Sequence, residues 1–592
     1  RTTPEEYAKQ RPEWEDILDI SKLAESENEA WSYKGVDVLE PAFDRALVKL
    51  SRGGGDAVVI REFDIEKKAF IEDGFKLKEA KTRAAWLDRD TLLVGTDFGE
   101  GSMTSSGYPR QVKKWRRGTP LTEAELLFEG EAGDVSVGAY VQHTVDRKYT
   151  MIYRGVSFYE SEYHAYEKGK LIKLDLPLDV DLSGIFQGHL LVKPKKEWKA
   201  GGKTIVSGAL AALKYEALLK GRHEVTLLYR PSEKDSLGSV SSSRNQLLVQ
   251  VFKGGRYDTL FRHSFSNGIW TAAQTAAPEY GTLSIVSADD YSDRFFLTHE
   301  SALSPRALYF SSDARTFTKV KSMPEFFDSF EYHVEFHEAV SGDGTKIPYS
   351  IVFPTAGKMD GSTPTLLYGY GGFEVSLRPW YSPVMGSTWL ANGGAFAVAN
   401  IRGGGEFGPA WHEAARKENK QRSYDDFIAV SEDLIQRGYA SPRTLGIQGG
   451  SNGGLLVGAV TMQRPDLYRA VICAVPLLDM KRYHNLLAGA SWMAEYGDPD
   501  LPEEWNYISK YSPYHNLSKK QSYPKIFFKT TTRDDRVHPG HARKMAAKME
   551  SYGQPFFYFE NTEGGHGAGV TNEQRARMES LGYVYLLKML QE

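Results

Sequence analysis

The amino-acid sequence predicts two domains, an all-β array of short strands followed by a doubly wound, mostly parallel α/β sheet. Up to about residue 330, short apolar stretches alternate with turn residues; after it, apolar strands alternate with helical patterns. The length of 592 residues also exceeds the roughly 100–200 residues of one domain. We therefore predict a first domain over residues 1–330 and a second over residues 331–592.

The composition is that of an ordinary globular protein and excludes several classes of function. Hydrophobic residues make up 41% and charged residues 25%, and a net charge of −4 gives no reason to expect nucleic acid or an anionic membrane as a partner. The single cysteine rules out an intrachain disulfide. No apolar run approaches the ~20 residues of a membrane span. We expect a cytoplasmic monomer; because the chain opens on Arg1, a removed signal peptide leaves a periplasmic or secreted location open.

The first domain is predicted from its short strands. Arg45–Leu50 and Ala57–Phe63 flank a turn at Gly53–Asp56, and similar apolar cores recur as far as Phe295–Leu297. Many short strands with regular turns indicate a sandwich, a barrel or a propeller. With about 330 residues to place, a propeller of six or seven blades of ~45–50 residues each fits best.

The second domain is predicted from its alternation of strands and helices. A hairpin turn at Asp343-Gly344 opens it. Alternating strands and helices build βαβ units, and hence a parallel sheet with helices on both faces. The predicted strands are Thr365–Tyr370, Ala395–Ile401, Thr444–Gln448, Ala470–Val475, Lys525–Thr530 and Phe556–Phe559, and the predicted helices are Tyr424–Arg437, Gly453–Arg464, His541–Ser551 and Asn572–Leu590.

The segment Gly449–Gly453 matches the G-x-S-x-G pattern of a nucleophile elbow, with Ser451 at its centre. It lies between a predicted strand and a predicted helix, which is the context that the motif requires. Glycines on both sides keep Cβ atoms out of a crowded turn, and the helix N-terminus favours developing negative charge. We therefore predict that Ser451 is the nucleophile of a hydrolase and that the second domain has the α/β-hydrolase fold.

A serine nucleophile needs a base and an acid, which in this fold follow it in the order acid, then histidine. His566 is the last histidine of the chain and lies in a glycine-rich loop after the last predicted strand. Asp534 and Asp535 follow the preceding strand, and Asp479 follows an earlier one. The carboxylate would orient the imidazole and stabilise the imidazolium. Spacing alone does not separate Asp534 from Asp535.

Residues 403–408 match G-x-G-x-x-G, the pattern of a dinucleotide site. Pro409 follows at once and the next predicted helix begins only near Tyr424. We therefore interpret the segment as a turn near the mouth of the active site. The sequence shows no cluster with zinc-ligand spacing, and we expect neither a metal nor another cofactor.

Several longer motifs resemble the prolyl oligopeptidase family of serine peptidases. They are Leu366–Phe373, Asn400–Glu406, Gly449–Leu455, Gln463–Leu467 and Asp534–Val537. The similarity runs through most of residues 340–592, whereas the first domain supports it only through architecture. The resemblance implies a seven-bladed propeller and a triad of Ser451, Asp534 and His566. Members of the family usually carry an N-terminal helical segment before the first blade; we expect that segment to be missing from this chain or replaced by another, and the first blade to be incomplete.

The resemblance also implies how substrate is bound. The backbone N–H of Asn452 and the hydroxyl of Tyr370 would form the oxyanion hole, where each donor contributes about 3–4 kcal/mol to the transition state. Trp492 would stack on a substrate proline ring, because proline lacks an N–H and buries a flat hydrocarbon surface. The other residues implied around the substrate are Phe373, Leu477, Tyr496 and Val537, which would complete the slot, and Arg536, which would donate to a substrate carbonyl.

These expectations predict an endopeptidase that cleaves short peptides after proline through an acyl-enzyme. Alternatives remain for single residues: Tyr370 and Trp492 as packing aromatics, and Arg536 as an ion-pair partner of Asp535. An oligopeptidase of the same fold that prefers basic residues is the first rival function, although it would need carboxylates where Trp492 stands. An esterase is the second, since the elbow does not distinguish esters from amides. A binding protein with a vestigial hydrolase is the third.

Overall fold

The computed structural model describes residues 1–567 and 569–591. Small antiparallel sheets occupy the chain up to Ser322, and one large sheet begins at Tyr332. The predicted domain boundary at residue 330 falls in the segment between them, and as a boundary it stays a prediction. Within the described ranges, no helix combines the length and the apolarity needed to cross a bilayer.

The first domain is a propeller whose described residues form six antiparallel blades. A two-stranded ribbon branches from the fourth blade. Blade 1 contains β1 (Trp31–Val38), β2 (Arg45–Arg52), β3 (Val58–Asp64), β4 (Ala69–Phe70) and β5 (Lys76–Ala80); blade 2 contains β6 (Arg83–Asp88), β7 (Thr91–Gly95), β8 (Gln111–Arg116) and β9 (Glu125–Glu129); blade 3 contains β10 (Ser136–His143), β11 (Lys148–Gly155), β12 (Ser161–Glu167) and β13 (Lys170–Lys173). Blade 4 contains β14 (Val180–Phe186), β15 (His189–Pro194), β18 (Leu210–Lys214) and β19 (Val225–Tyr229), with β16 (Trp198–Ala200) and β17 (Lys203–Ile205) in the ribbon; blade 5 contains β20 (Asp235–Ser242), β21 (Leu247–Lys253), β22 (Tyr257–Ser266) and β23 (Ile269–Gln274); blade 6 contains β24 (Thr282–Ala288), β25 (Phe295–Glu300), β26 (Ala307–Ser311) and β27 (Thr318–Ser322).

The prediction of seven blades is wrong for the described residues. A blade takes about 45–50 residues, so the segment 31–322 accommodates six. The residues before it form two helices, α1 (Pro4–Tyr7) and α2 (Ile20–Glu27), instead of strands. The Asp19 side chain caps the start of α2, and the apolar side chains of this segment pack on the core of blade 1. These residues therefore cover a blade rather than form one.

The second domain is built on an eight-stranded sheet of order β28-β29-β31-β30-β32-β33-β34-β35. The first two pairs are antiparallel and the other five are parallel, so the prediction of a mostly parallel sheet is confirmed. The strands are β28 (Tyr332–Val340), β29 (Lys346–Pro354), β30 (Thr365–Tyr368), β31 (Ala395–Ala399), β32 (Leu445–Gly450), β33 (Ala470–Ala474), β34 (Lys525–Thr531) and β35 (Phe556–Asn561). The helices after α3 (Tyr215–Leu218) of the propeller are α4 (Pro383–Thr388), α5 (Pro409–Glu413), α6 (Gln421–Gln436), α7 (Asn452–Gln463), α8 (Met493–Tyr496), α9 (Pro502–Tyr511), α10 (Pro513–Asn516), α11 (Gly540–Ser551) and α12 (Asn572–Leu590).

Both faces of this sheet are covered, which explains why its central strands are apolar throughout. Helices α6, α7 and α11 pack on one face, and α4 and α12 pack on the other. Neighbouring residues of a strand therefore enter opposite cores: Leu366 lies in one and Leu367 in the other. The elbow lies at the carboxyl end of β32.

A buried histidine at the start of α11 should make the fold sensitive to acid. The Nδ1 atom of His541 accepts backbone hydrogen bonds from Leu478 (3.2 Å) and Asp479 (3.1 Å), and burial lowers the pKa of His541 to about 4. Between about pH 6.5 and pH 4 the unfolded chain binds a proton that the folded chain does not. The free energy of unfolding should therefore decrease as the pH is lowered through this window, by up to roughly 3 kcal/mol.

Urea unfolding at pH 7 and pH 4.5 measures this effect. His541→Asn keeps an acceptor near the Nδ1 position but cannot titrate, so its unfolding free energy should depend less on pH than that of the wild type. Equal pH dependence in the two proteins would contradict the assignment to His541.

Candidate active site

Ser451 follows β32 and immediately precedes α7, as the elbow motif predicts. Its backbone angles are φ 59° and ψ −119°, a strained conformation for a residue with a side chain. Its N–H donates to the carbonyl of Ala474 at 2.9 Å, which ties the turn to the neighbouring strand. The turn requires its glycines, because a Cβ on Gly449 would lie 2.1 Å from the carbonyl oxygen of Gly453.

The carboxylate of Asp534 holds the imidazole of His566. Its Oδ2 lies 2.7 Å from the Nδ1 of His566. Its Oδ1 accepts the backbone N–H groups of Arg536 (3.0 Å) and Val537 (2.9 Å), which fixes the carboxylate in place. The side chain of Thr531 donates to the histidine loop at the carbonyl of Gly565 (3.0 Å). Strand β34 and the loop after β35 thus present an oriented imidazole.

The two other candidate acids have different partners. Asp535 accepts the backbone N–H groups of Asp56 (2.8 Å) and Ala57 (3.1 Å) in the propeller. Asp479 is buried and pairs with Lys544 and, at 3.2 Å, with Arg482. Over the described residues, the carboxylate bonded to His566 is that of Asp534.

Tyr370 lies two residues beyond the end of β30, with its hydroxyl near the side chain of Ser451. Burial raises the pKa of Tyr370 to about 12, although the nearby Ser451 side chain acts in the opposite direction. The side chain of Asn452 donates to the carbonyl oxygen of Tyr370 at 2.6 Å. The backbone of Asn452 opens α7, where the first N–H groups have no acceptor within the helix. Two potential donors therefore lie beside the serine.

The predicted slot residues belong to the core that also contains α7, the helix after the elbow. Leu477, Trp492, Tyr496 and Val537 belong to the same core, and Phe373 packs against it. Phe373 lies edge-on to Tyr496, with ring centroids 5.7 Å apart, and the Tyr496 hydroxyl donates to the side-chain oxygen of Asn452 at 2.7 Å. Phe373 and Tyr496 thus lie at the elbow, and the slot as a whole stays a prediction.

Sequence analysis missed an aromatic contribution from the propeller. The ring of Phe158, in the loop between β11 and β12, lies edge-on to Phe373 with centroids 5.0 Å apart. Phe158 is 44% exposed, so its ring extends the aromatic cluster towards solvent. No local pattern marks Phe158, because its partner lies more than two hundred positions further along the chain.

Arg536 pairs with the propeller rather than with its neighbour Asp535. Its Nε and Nη2 atoms donate to the two carboxylate oxygens of Asp56 at 2.9 and 3.0 Å. Two-pronged pairs of this kind fix orientation as well as charge. The guanidinium thus joins the acid loop of the second domain to blade 1.

The propeller turn 53–57 contacts both loops that supply the His566–Asp534 pair. In addition to its bonds with Asp535 and Arg536, it accepts the N–H of Gly564 at the carbonyl of Gly53 (2.9 Å). The approach is so close that a Cβ on Gly565 would lie 2.4 Å from the carbonyl oxygen of Gly54. Blade 1 therefore supports the acid loop and the histidine loop at once.

Glu495 is a second feature that sequence analysis missed. Its carboxylate is fully buried behind the slot and bonded to Lys420 Nζ and His412 Nε2, both at 2.7 Å. Burial alone would raise the pKa of Glu495, but Lys420 and His412 lower it to about 2. The carboxylate is therefore ionised, and its negative charge is balanced by the groups bonded to it.

Among the residues that the structure describes, one group of side chains has the spacing of a metal site. Ligand atoms of His484, Asp498 and Asp500 lie within 4.8 Å of one another. The imidazole of His484 is already hydrogen-bonded to Asp500 at 2.9 Å, and Asp500 is largely exposed, as in an ordinary surface ion pair. We assign this group no role at the candidate active site.

Comparison with protein-family models matches both halves of the chain. The model of the prolyl oligopeptidase family matches residues 380–592, and the model of the prolyl oligopeptidase N-terminal β-propeller domain matches residues 1–321. The uncharacterized peptidase y4nA of Sinorhizobium fredii is 43% identical over 603 residues, which cover 100% of this chain and 83% of that protein. The prolyl endopeptidase of Elizabethkingia meningoseptica is 43% identical over 260 residues, 43% of this chain and 36% of that one.

Solved structures share the whole architecture. That of a post-proline cleaving enzyme from Rickettsia typhi matches with a TM-score of 0.97 and 33% identity, over 100% of this chain and 88% of that one. Oligopeptidase B from Leishmania major shares the fold with a TM-score of 0.85 at 23% identity, over 97% and 81% of the two chains. The resemblance noted in the sequence is confirmed: the chain belongs to the prolyl oligopeptidase family and is a serine-type peptidase.

Proposed function

We propose that this peptidase hydrolyses short peptides on the carboxyl side of proline, through an acyl-enzyme on Ser451. The observation that carries the proposal is the contact of the elbow with an aromatic pair: Asn452, next to Ser451, is hydrogen-bonded to Tyr496, whose ring lies edge-on to Phe373. The bonded pair Asp534–His566 supplies an oriented base from the neighbouring strands. The peptide substrate, the monomeric state and the cytoplasmic location stay predictions.

In this mechanism, His566 removes the proton from the Ser451 hydroxyl as its oxygen attacks the substrate carbonyl carbon. The resulting oxyanion lies between the N–H of Asn452 and the hydroxyl of Tyr370. The imidazolium then protonates the leaving amine, the C–N bond breaks, and an ester remains on Ser451. Water activated by the same imidazole hydrolyses that ester. Asp534 keeps the proton of His566 on Nδ1, so that Nε2 can act as the base.

The aromatic character of the slot favours a proline residue over a basic one at the position before the cleaved bond. An aromatic wall gains contact area from a flat, uncharged ring, whereas a basic side chain would lose hydration there and needs a free carboxylate. Glu495 is the buried carboxylate behind the slot, and its charge is taken up by Lys420. The names of two relatives, prolyl endopeptidase and post-proline cleaving enzyme, agree with this preference. The shared fold of oligopeptidase B shows the architecture and does not decide specificity.

Arg536 can bind substrate without leaving Asp56. The ion pair uses Nε and Nη2, and the side chain is 46% exposed. We propose that Nη1 donates to a substrate carbonyl upstream of the proline. The contact of blade 1 with the acid loop then places this donor, and the propeller restricts the site to short peptides.

Chromogenic peptides that carry Pro, Arg or Phe before the reporter test the proposal. We expect kcat/KM for the proline peptide to exceed that for the arginine peptide by about 100-fold or more, because desolvating an unpaired guanidinium costs several kcal/mol. The Ser451→Ala protein serves as the blank. Faster cleavage after Arg than after Pro would overturn the specificity.

The slot itself is tested by Trp492→Ala in the same assay. Loss of the stacking surface should raise KM for the proline peptide by about tenfold or more, and hardly change the hydrolysis of a small acetate ester. A matched loss with both substrates would assign Trp492 to the core instead.

A further inference from the structure

The carboxylate of Glu495 is the meeting point of four hydrogen-bond donors. One oxygen accepts Lys420 Nζ (2.7 Å) and the backbone N–H of Phe373 (3.3 Å). The other accepts His412 Nε2 (2.7 Å) and the hydroxyl of Tyr159. A buried carboxylate is costly unless it is fully bonded, so this arrangement satisfies Glu495 from every side.

These donors enclose the loop that carries Tyr370. Lys420 Nζ donates to the carbonyl of Gly371 at 2.8 Å in addition to Glu495, and Ser423 donates to the same carbonyl at 3.2 Å. The N–H of Phe373, two residues further on, is bonded to Glu495 itself. The backbone that follows Tyr370 is therefore held at both ends by one ion pair.

The same loop runs through unfavourable backbone conformations. Phe373 has φ 57° and Glu374 also has φ 57°, in the left-handed region that residues with side chains rarely adopt. Such conformations persist only where the surrounding structure holds them. The bond from Phe373 to Glu495 is part of that support, so its loss should let the loop relax and displace the Tyr370 hydroxyl.

The fourth donor comes from the other domain. Tyr159 lies in blade 3 between β11 and β12, and its ring and hydroxyl are buried against the second domain. Its ring packs on His412 with centroids 4.7 Å apart. A hydroxyl of the propeller thus completes the bonding of a carboxylate that supports the second domain's oxyanion loop.

We propose that Glu495 is a positioning residue for acyl transfer, which sets the place of the Tyr370 hydroxyl through the Gly371–Phe373 backbone, with Tyr159 of the propeller as part of the same construction. The inference rests on the proposed roles of Ser451 and Tyr370 and is independent of the preference for proline. A merely structural ion pair would stabilise the fold without acting through Tyr370.

A double-mutant cycle between Glu495→Gln and Tyr370→Phe tests the inference, with the full chain and the peptide that the wild type cleaves fastest. The amide of Gln cannot accept bonds at its nitrogen, so Glu495→Gln should lower kcat by about 10–100-fold and change KM less. In the Tyr370→Phe background the same substitution should cost less than about threefold, since the group it positions is gone. Equal losses in the two backgrounds would overturn the proposal.

Stability is separated from positioning by a matched control. Asp134 is a buried carboxylate paired with Arg154 at 2.7 Å, and its hydrogen-bond partners lie in the propeller. Asp134→Asn should lower the melting temperature and leave kcat per active site unchanged, with active sites counted by stoichiometric labelling of Ser451 by a fluorophosphonate. If Asp134→Asn lowered kcat as much as Glu495→Gln does, the effect would be one of general stability and the proposal would fail.

Tyr159→Phe provides a milder test that holds even if Glu495→Gln does not fold. It removes one hydroxyl and keeps the ring, and should lower kcat by about three- to tenfold, again with little further loss in the Tyr370→Phe background. An unchanged kcat would remove the propeller from the proposal. The two proposals can fail separately. Non-additive cycles together with faster cleavage after Arg would support the role of Glu495 and overturn the preference for proline. Additive cycles together with faster cleavage after Pro would overturn the role of Glu495 and support the preference for proline.

Discussion

Asp534→Asn should lower kcat by about four orders of magnitude, with little change in the folded structure. The carboxylate oxygen of Asp534 accepts the Nδ1 proton of His566 at 2.7 Å. An amide nitrogen in its place would donate to Nδ1, so the imidazole would carry its proton on Nε2 and could no longer take one from Ser451. Steady-state assays with the peptide that the wild type cleaves fastest measure the decrease in kcat.

The neighbouring carboxylate is the matched control for that experiment. Asp535→Asn removes the same charge one residue later, but its oxygens bond Asp56 and Ala57 in the propeller and not His566. We expect less than about a tenfold loss of kcat, because the tautomer of His566 is untouched. A larger loss from Asp535→Asn than from Asp534→Asn would exchange the proposed roles of the two residues.

The second large effect is expected at the oxyanion. Tyr370→Phe should lower kcat by about 10²–10³-fold and leave KM nearly constant, since the hydroxyl acts on charge that develops only in the transition state. Burial raises the pKa of Tyr370 to about 12, so the hydroxyl remains a donor throughout the neutral and mildly alkaline range. A loss confined to KM would show that the ring contacts substrate and that its hydroxyl is not an oxyanion donor.

The sequence was most informative where the structure is local. The elbow is a strand, a turn and a helix within about twenty residues, and each part has a pattern of its own. The predicted helix Asn572–Leu590 has the bounds observed for α12, because its Thr571–Gln574 capping box sits next to it in the chain. The parallel sheet followed from the alternation of strands and helices in the same way.

Long-range contacts could not be predicted from these patterns. Spacing left Asp534 and Asp535 equivalent, and the distinction between them lies in a propeller turn more than 470 positions earlier. The ion-pair partner of Arg536 is Asp56, 480 positions away, whereas the sequence offered only its neighbour. The four donors to Glu495 are also far apart in the sequence, so no local motif predicts them.

The blade count failed for a related reason. Five of the six described blades have four strands and blade 1 has five, without a shared sequence signature, so their number was inferred from length and from resemblance. Two short helices at the start of the chain occupy residues that this arithmetic assigned to strands. The cap at Asp19 and the apolar side chains that pack on blade 1 stabilise the second of them.

The turn 53–57 has a consequence for recombining these domains. Because it bonds the loops of both Asp534 and His566, blade 1 is a structural part of the second domain's chemistry as well as of its enclosure. A chimera that joins this second domain to a relative's propeller should therefore retain turnover only if it inherits a compatible turn at this place. The two domains should therefore be exchanged together, because a chimera joined at the domain boundary would separate this turn from the loops that it contacts.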